Sequence, residues 1–288
     1  MKVGIIGAGA VGTGMGILLK RQGYEIVGVA NRTLASAQRA ATKLGCLAFE
    51  KLEQLTQEAD LVFITTNDTS IGPVTAKVAE HNGFYPGQTV IHMSGSLTSA
   101  VLSPAKKAGA MVLSMHPLQS CADAEQAVEN IPGSVFSLEG DSKALDLGKK
   151  LVNELGGKYF IIKKEEKPLY HAAACVASNY LVSLVDLSYK MMQVTGMEPD
   201  MFVQALSPLL DGTLNNIKKK GTVEALTGPI SRGDTDTIKQ HLKVMDEQVP
   251  DLKEFYQVLG QYTVNLASRK GTIDSEVEAQ LLQLLDRN

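Results

Sequence analysis

A chain of 288 residues has room for two domains of ordinary size, and 44% hydrophobic against 20% charged residues is the balance of a globular protein with real cores. A formal net charge of -3, with the basic clusters Lys163-Lys164 and Lys218–Lys220 short and bordered by acidic or polar residues, provides no footprint for nucleic acid or an anionic membrane surface. The three cysteines, Cys46, Cys121 and Cys175, form no CxxC pair and no metal spacing, so no metal and no disulfide framework are expected and a reduced, cytoplasmic setting is. The first apolar run is cut at once by glycines and reads as a strand and its turn rather than a secretion signal. No stretch approaches the roughly 18 uninterrupted apolar residues of a spanning helix.

From residue 1 to 163 short apolar runs alternate with amphipathic stretches. Strands are expected at Lys2–Ile6, Glu25–Ala30, Leu61–Thr65, Thr89–Met93 and Met111–Met115. Helices are expected between them at Val11–Gln22, Leu34–Leu44, Ile71–Glu80 and Thr98–Lys107. That alternation predicts βαβ units and a mainly parallel sheet, an α/β Rossmann domain. Weaker strands, Val135–Leu138 and Tyr159–Ile162, flank a helix near Lys143–Leu155 and extend the sheet edge. From 164 to 288 the strand signal disappears. Tyr170–Val194 reads as one long helix, followed by Pro199–Lys219 with a break near Pro208 and Gly212, then Thr235–Glu247, Leu252–Lys270 and Ser275–Leu285. Asp234, Pro250-Asp251 and Asp274-Ser275 supply start signals, and Gly196, Gly221 and Gly271 supply stops. The second domain is therefore expected to be all-helical.

The first strand runs into Gly7-Ala8-Gly9-Ala10-Val11-Gly12, a GxGxxG turn that opens an amphipathic helix. In that context Gly7 permits the tight turn, Gly9 lets the backbone approach a pyrophosphate and Gly12 lets the helix pack close to the strand. The first-turn N–H groups and the positive end of the helix then face the phosphates. The second strand ends Ala30-Asn31-Arg32-Thr33, where an NAD-binding protein places an acid for the ribose 2′-hydroxyl. Asn31, Arg32 and Thr33 instead offer a planar cation and polar groups to a 2′-phosphate, so NADP(H) is the expected cofactor.

Ligands of such sheets lie outside the carboxyl ends of the strands. Thr65, Thr66 and Asn67 are expected beside the cofactor's ribose and nicotinamide, and Ser94 and His116 beside a substrate. On the long helix, His171, Cys175 and Ser178 recur at i, i+4 and i+7, with Asn179 about 80° further round. A polar stripe on an otherwise apolar helix needs a polar surface or a ligand to face. A last polar loop, Leu226–Asp234, offers Arg232 for a substrate carboxylate or the phosphates and Asp234 for substrate; surface exposure and a helix N-cap are the plain alternatives.

With GAGAVG, ITTND, HMSGS, MHPLQ, YHAAACVASNYL and LTGPISRGD on the page, the chain resembles the family that joins a Rossmann-like domain to the helical domain DUF2520. Its broader relatives are the ketopantoate reductases, the pyrroline-5-carboxylate reductases and the 6-phosphogluconate-dehydrogenase-like enzymes. The resemblance implies an NADP-dependent oxidoreductase and a homodimer built through the helical domain. It also implies a Lys four residues before the helix Asn in the ketoacid branch. If Asn179 is that Asn, Cys175 stands in its place, and His171 and His116 are the candidate proton donors. The expected activity is hydride transfer to a small carboxylate-bearing 2-oxo acid, ketopantoate being the named example, with His171, Ser178, Asn179, His116 and Ser94 as catalytic residues. A cyclic-imine reductase and a non-catalytic NADP(H) sensor are the alternatives. No recognition module for nucleic acid accompanies the latter.

Overall fold

The computed structural model describes residues 1–287. In chain order the first compact unit runs β1 (Lys2–Ile6), α1 (Ala10–Arg21), β2 (Glu25–Ala30), α2 (Leu34–Leu44), β3 (Leu47–Ala48), α3 (Leu52–Gln57), β4 (Leu61–Ile64), α4 (Asp68–Glu80), β5 (Thr89–His92), α5 (Ser103–Lys107), β6 (Met111–Pro117), α6 (Ala124–Asn130), β7 (Val135–Gly140), α7 (Ser142–Glu154), β8 (Lys158–Ile161) and α8 (Lys167–Ala177). The eight strands lie in the order β3-β2-β1-β4-β5-β6-β7-β8. All neighbours are parallel except β6 with β7.

The strand sequences explain the layering. β4 (LVFI) and β5 (TVIH) are buried at every residue, as expected of parallel strands covered by helices on both faces. Alternate residues feed two separate cores. Ile5, Phe63, Ile91 and Leu113 pack on the face of α1, α2 and α7 with Met15, Leu44 and Leu151. Ile6, Val62, Ile64 and Val90 pack on the other with Leu55, Ile71 and Leu102. Strand order reverses between β2-β1 and β4, which opens the crevice at the carboxyl ends.

The second unit begins at Tyr180 and holds α9 (Asn179–Val194) beyond its first residue, α10 (Pro199–Ala225), α11 (Thr235–Gln248), α12 (Pro250–Lys270) and α13 (Ser275–Leu284). Its core is made by Ile238, Leu242, Val264, Ala267, Leu281 and Leu285. The expected start signals act as such: Asp234 caps α11 by accepting from Thr237 N at 3.0 Å, and Asp274 caps α13 by accepting from Val277 N at 2.9 Å. In α10 the interruption falls at Gly221 (φ 77°, ψ 173°), not near Pro208 and Gly212. A φ of that sign suits glycine, whereas the helix runs through Pro208 without leaving helical backbone.

Three further differences separate structure from expectation. The single helix over Tyr170–Val194 is two, α8 and α9, divided at Ser178 (φ -115°, ψ -68°). The compact units divide at 179/180 rather than at 163/164, because α8 is fastened to the sheet through Lys167 and Tyr170. Finally, by length and composition the stretch Lys164–Val194 does suffice to cross a membrane, with a mean hydropathy of 1.2 over its best 18 residues, none of them buried. Its alanines and leucines carry it there despite the polar groups between them, which a search for uninterrupted apolar runs passes over.

Candidate active site

The glycine turn is built as its sequence demands. Gly7 has φ 91°, and a Cβ there would meet Thr66 N at 2.6 Å. A Cβ on Gly12 would stand 2.7 Å from Gly7 O, so α1 approaches the turn as only glycine allows. At Gly9, by contrast, a Cβ would meet nothing within 4 Å. Gly9 is the N-cap of α1 and has no side chain to satisfy the helix's first N–H groups. The turn therefore offers a free backbone donor set to open space, the donor chemistry a pyrophosphate requires.

The neighbouring polar residues divide into those that shape this cradle and those that line it. Asn31 Oδ1 accepts from Ala8 N at 2.7 Å, and Thr65 Oγ1 donates to Gly7 O at 2.9 Å, so both latch the turn from the ends of β2 and β4. Thr33 is the N-cap of α2, its hydroxyl accepting from Ser36 N at 3.3 Å. Arg32 is exposed beside it. A groove of 500 Å³ beside Gly9, Ala10 and Asn31 also receives Ser36, Arg39 and Lys43, which sequence reasoning missed although their spacing along α2 puts them on one side. Val11 is half-buried in the first turn of α1, Thr66 Oγ1 lies 3.4 Å from Asn67 O, and Asn67 begins α4 as its N-cap.

A second cavity, of 570 Å³, is lined by His116, Gln119, Tyr170, His171, Ser178 and Asn179, with Cys175 among them. Four of the five expected catalytic residues thus share one wall. Ser94 does not line it: it is buried two residues past β5, its hydroxyl donating to Asp68 Oδ2 at 2.7 Å and accepting from Leu97 N at 3.1 Å. Ser96 Oγ donates to the same Asp68 oxygen at 2.7 Å. Ser94 therefore sets the turn that follows β5. Within that turn Gly95 creates the room for the imidazoles. A Cβ there would sit 2.6 Å from His171 Cδ2 and 2.8 Å from His116 Nε2. The two rings lie 6.3 Å apart between centroids. His116 Nδ1 shares a hydrogen bond of 2.9 Å with Tyr170 Oη, and Cys175 Sγ lies 3.8 Å from His171 Nδ1.

The electrostatics change the role expected of His116. Burial, then the Lys167 ammonium and the His171 ring, push its imidazole down to about 4, against an upward pull from Asp68. At neutral pH it is an uncharged ring with one donor and one acceptor, not the imidazolium acid anticipated from its ordinary titration. His92, beneath it in β5, is also held down to about 4, by burial first and Lys167 next. Its partners define the neutral tautomer: Nε2 donates to Thr98 O at 3.1 Å, while Nδ1 accepts from Ser94 N at 3.2 Å. Burial also raises the Tyr170 phenol, which keeps its proton across the neutral range.

Tyr170 and Lys167 were missed. The Lys expected four residues before Asn179 is absent, but a buried Lys stands two turns earlier, since Lys167, His171 and Cys175 follow at i, i+4 and i+8 on one face of α8. Its distance from Asn179 falls outside the one-turn spacing that the resemblance implies. Arg232 and Asp234 belong to the second unit, where Arg232 is exposed. Both Asp234 oxygens are engaged by Thr237, through its N–H at 3.0 Å and its hydroxyl at 2.7 Å, which makes Asp234 a helix cap.

Comparison with known proteins agrees with this architecture. A Rossmann-like domain model matches residues 1–117 and the domain of unknown function DUF2520 matches residues 134–263. A Thermotoga maritima protein is similar over 93% of this chain and 97% of its own, at 29% identity and a TM-score of 0.71. A Bacteroides fragilis protein provisionally named an NADP oxidoreductase is similar over 92% and 98%, at 21% identity and a TM-score of 0.76. A reductive aminase from Aspergillus terreus, solved with a reduced nicotinamide cofactor, cyclohexanone and allyl amine, covers 99% of this chain with 92% of its own, at 18% identity and a TM-score of 0.59. Glutamyl-tRNA reductase of Pyrobaculum islandicum is 39% identical over 66 residues, a segment that spans 17% of that protein.

Proposed function

We propose that this chain, which joins a Rossmann-like domain to a DUF2520 domain, is an NADP(H)-dependent reductase of a small substrate bearing a polarised C=O or C=N bond. The observation that carries this is the pairing, in one sheet-edge unit, of an open Gly9 cradle with a cavity walled by His116, His171, Ser178 and Asn179. The cradle fits a dinucleotide: α1 turns its free N–H groups toward the pyrophosphate, and Arg32, assisted by Ser36 and Arg39 of the same groove, would hold the 2′-phosphate. When bound, NADPH supplies the hydride, and the protein supplies position and charge stabilisation.

Hydride addition to a carbonyl leaves charge on oxygen and calls for a proton, which solvent reaching the cavity past the exposed Ser178 and Asn179 would supply. The neutral His116 ring hydrogen-bonded to Tyr170 is suited to donate a hydrogen bond there, with Asn179 and Ser178 orienting the group. The leading substrate is a carboxylate-bearing 2-oxo acid, with ketopantoate the first compound to test. A second reading, a cyclic imine, is favoured by the uncharged state of His116, because a protonated imine already carries its proton and needs no acid. The NADP oxidoreductase name and the reductive aminase among similar folds support reduction in general terms. The exposed apolar side chains of α8 and α9, Leu169, Val176 and Val182 among them, support a homodimer. NADPH oxidation against a panel of 2-oxo acids and cyclic imines tests the function. Turnover of one class selects between the readings, and a protein that binds NADPH yet oxidises it with neither class points to a sensor instead.

A further inference from the structure

Lys167 opens α8 and has 0% of its surface exposed. Lysine is almost never fully buried unless it is paired. Here Nζ donates to two neutral acceptors, Ser114 Oγ at 2.8 Å and Ser94 O at 3.4 Å. The carboxylates that act on it, Glu139 and Asp68, do so through space, and each is otherwise engaged: Glu139 by Ser99 N and Oγ at 2.6 and 2.7 Å, Asp68 by Ser94 and Ser96. A charge buried on neutral acceptors is a poor device for stability alone, since an apolar side chain of similar length would avoid its desolvation. Its contacts, however, join the three segments that carry the candidate site. Ser94 lies two residues past β5 and begins the Gly95 turn, Ser114 lies two residues before His116 on the same face of β6, and His171 follows Lys167 by one turn of α8.

We propose that Lys167 is a positioning residue of this site: its buried ammonium, clamped on Ser114 and Ser94, ties the Gly95 turn, β6 and α8 together and so fixes the His116–Tyr170 pair. The inference rests on the reductase reading for its catalytic meaning. The groups facing His116 are Lys167, Tyr170 and His171 from α8, Asp68 from α4 and His92 from β5; Glu139 of β7 and Asp68 face Lys167 itself. Burial pushes the Lys167 ammonium down to about 8 against the upward pull of Glu139 and Asp68, so it is charged over the acidic range in which His116 titrates, and it acts on both His116 and His92 in the direction that disfavours a second positive charge. Fixing the ring uncharged keeps its hydrogen bond with Tyr170 and its other nitrogen beside Gly95.

The test is a pH titration of the His116 ring resonances by NMR in the full-length protein, assigned by their loss in His116→Gln. It is run on the wild type, Lys167→Met and Lys167→Arg, with melting curves and the kcat and KM for NADPH alongside. The wild-type ring should titrate near 4. Lys167→Met should raise that midpoint by about one pH unit, a tenfold gain in proton affinity. Lys167→Arg, which restores the cation, should return it toward the wild-type value. Should the methionine variant not fold, Lys167→Gln, one atom shorter and uncharged but still a donor, replaces it. A wild-type midpoint at the ordinary imidazole value, or folded uncharged variants in which His116 does not move, overturns the proposal. Turnover without the shift overturns it while leaving the reductase reading intact. The shift without turnover upholds the Lys167–His116 link and refutes the reductase reading.

Discussion

Arg32 and Gly95 are the residues at which the two halves of the site can be tested separately. Arg32 is exposed at the start of α2, so its removal disturbs no core. Arg32→Ala should weaken NADPH by tenfold to a hundredfold, about 1.5–3 kcal/mol for a charge-assisted contact, and leave NADH nearly unchanged. Parallel titrations with the two cofactors check this, and equal affinities in the unmutated protein contradict it. Gly95→Ala acts on the other half. Its methyl would press on both imidazoles from under 3 Å, which forces His116 or His171 aside. Turnover should fall tenfold or more while NADPH affinity is kept, because misplacing a transition-state group lowers kcat rather than cofactor binding. At this scale the glycine turn and Arg32 were legible because backbone need and charge are written in residue type. Asn31 and Thr65 were legible only as polar neighbours of the phosphates. Their side chains turn inward to Ala8 N and Gly7 O, a choice made by tertiary contacts that no local pattern displays.

At the scale of elements, β5, β6 and α8 are joined by groups whose charge states folding has changed. His92 and His116 fall from 6.5 to about 4, so the unfolded chain binds more protons than the folded one between those values. Their contribution to stability is complete above 6.5 and is lost as pH falls toward 4. Tm should drop across that window, and His116→Gln should flatten part of the slope; a variant with the full slope excludes His116 as a source. On α8 and α9, Asn179→Ala distinguishes site from scaffold. Asn179 is exposed and borders the cavity, so its loss should lower kcat and kcat/KM together by about a hundredfold, with Tm kept within a few degrees. Early melting with normal specific activity would identify a structural residue. The longer elements announced themselves by period, whereas β3, α3 and α6 did not, being two, six and seven residues long and short of a full periodic signal. The break at Ser178 was also hidden, since the sequence there contains neither Gly nor Pro.

For the whole molecule, the division into two units at 179/180 follows from where α8 is anchored, and composition could not reveal it because Lys167 reads as one more surface lysine until its burial is seen. The same helix carries Leu169 at 77% and Val176 at 58% exposure, and α9 carries Val182 at 71%. Apolar side chains in such numbers on one stretch predict self-association. Light scattering at micromolar concentration should give about twice the mass of one chain, and Val182→Glu should shift it toward the monomer; a wild-type monomer contradicts the homodimer.

In the proposed reaction the cofactor's hydride reaches a substrate carbon held in the His116–His171 cavity. That transfer is tested most directly by supplying NADPH deuterated at the transferable position together with the panel of 2-oxo acids and cyclic imines, and weighing the products. One deuterium is expected on the former carbonyl or imine carbon, and the labelled product should form more slowly when Asn179 or Gly95 is replaced. Products without deuterium, or NADPH recovered unchanged with every compound, would contradict it.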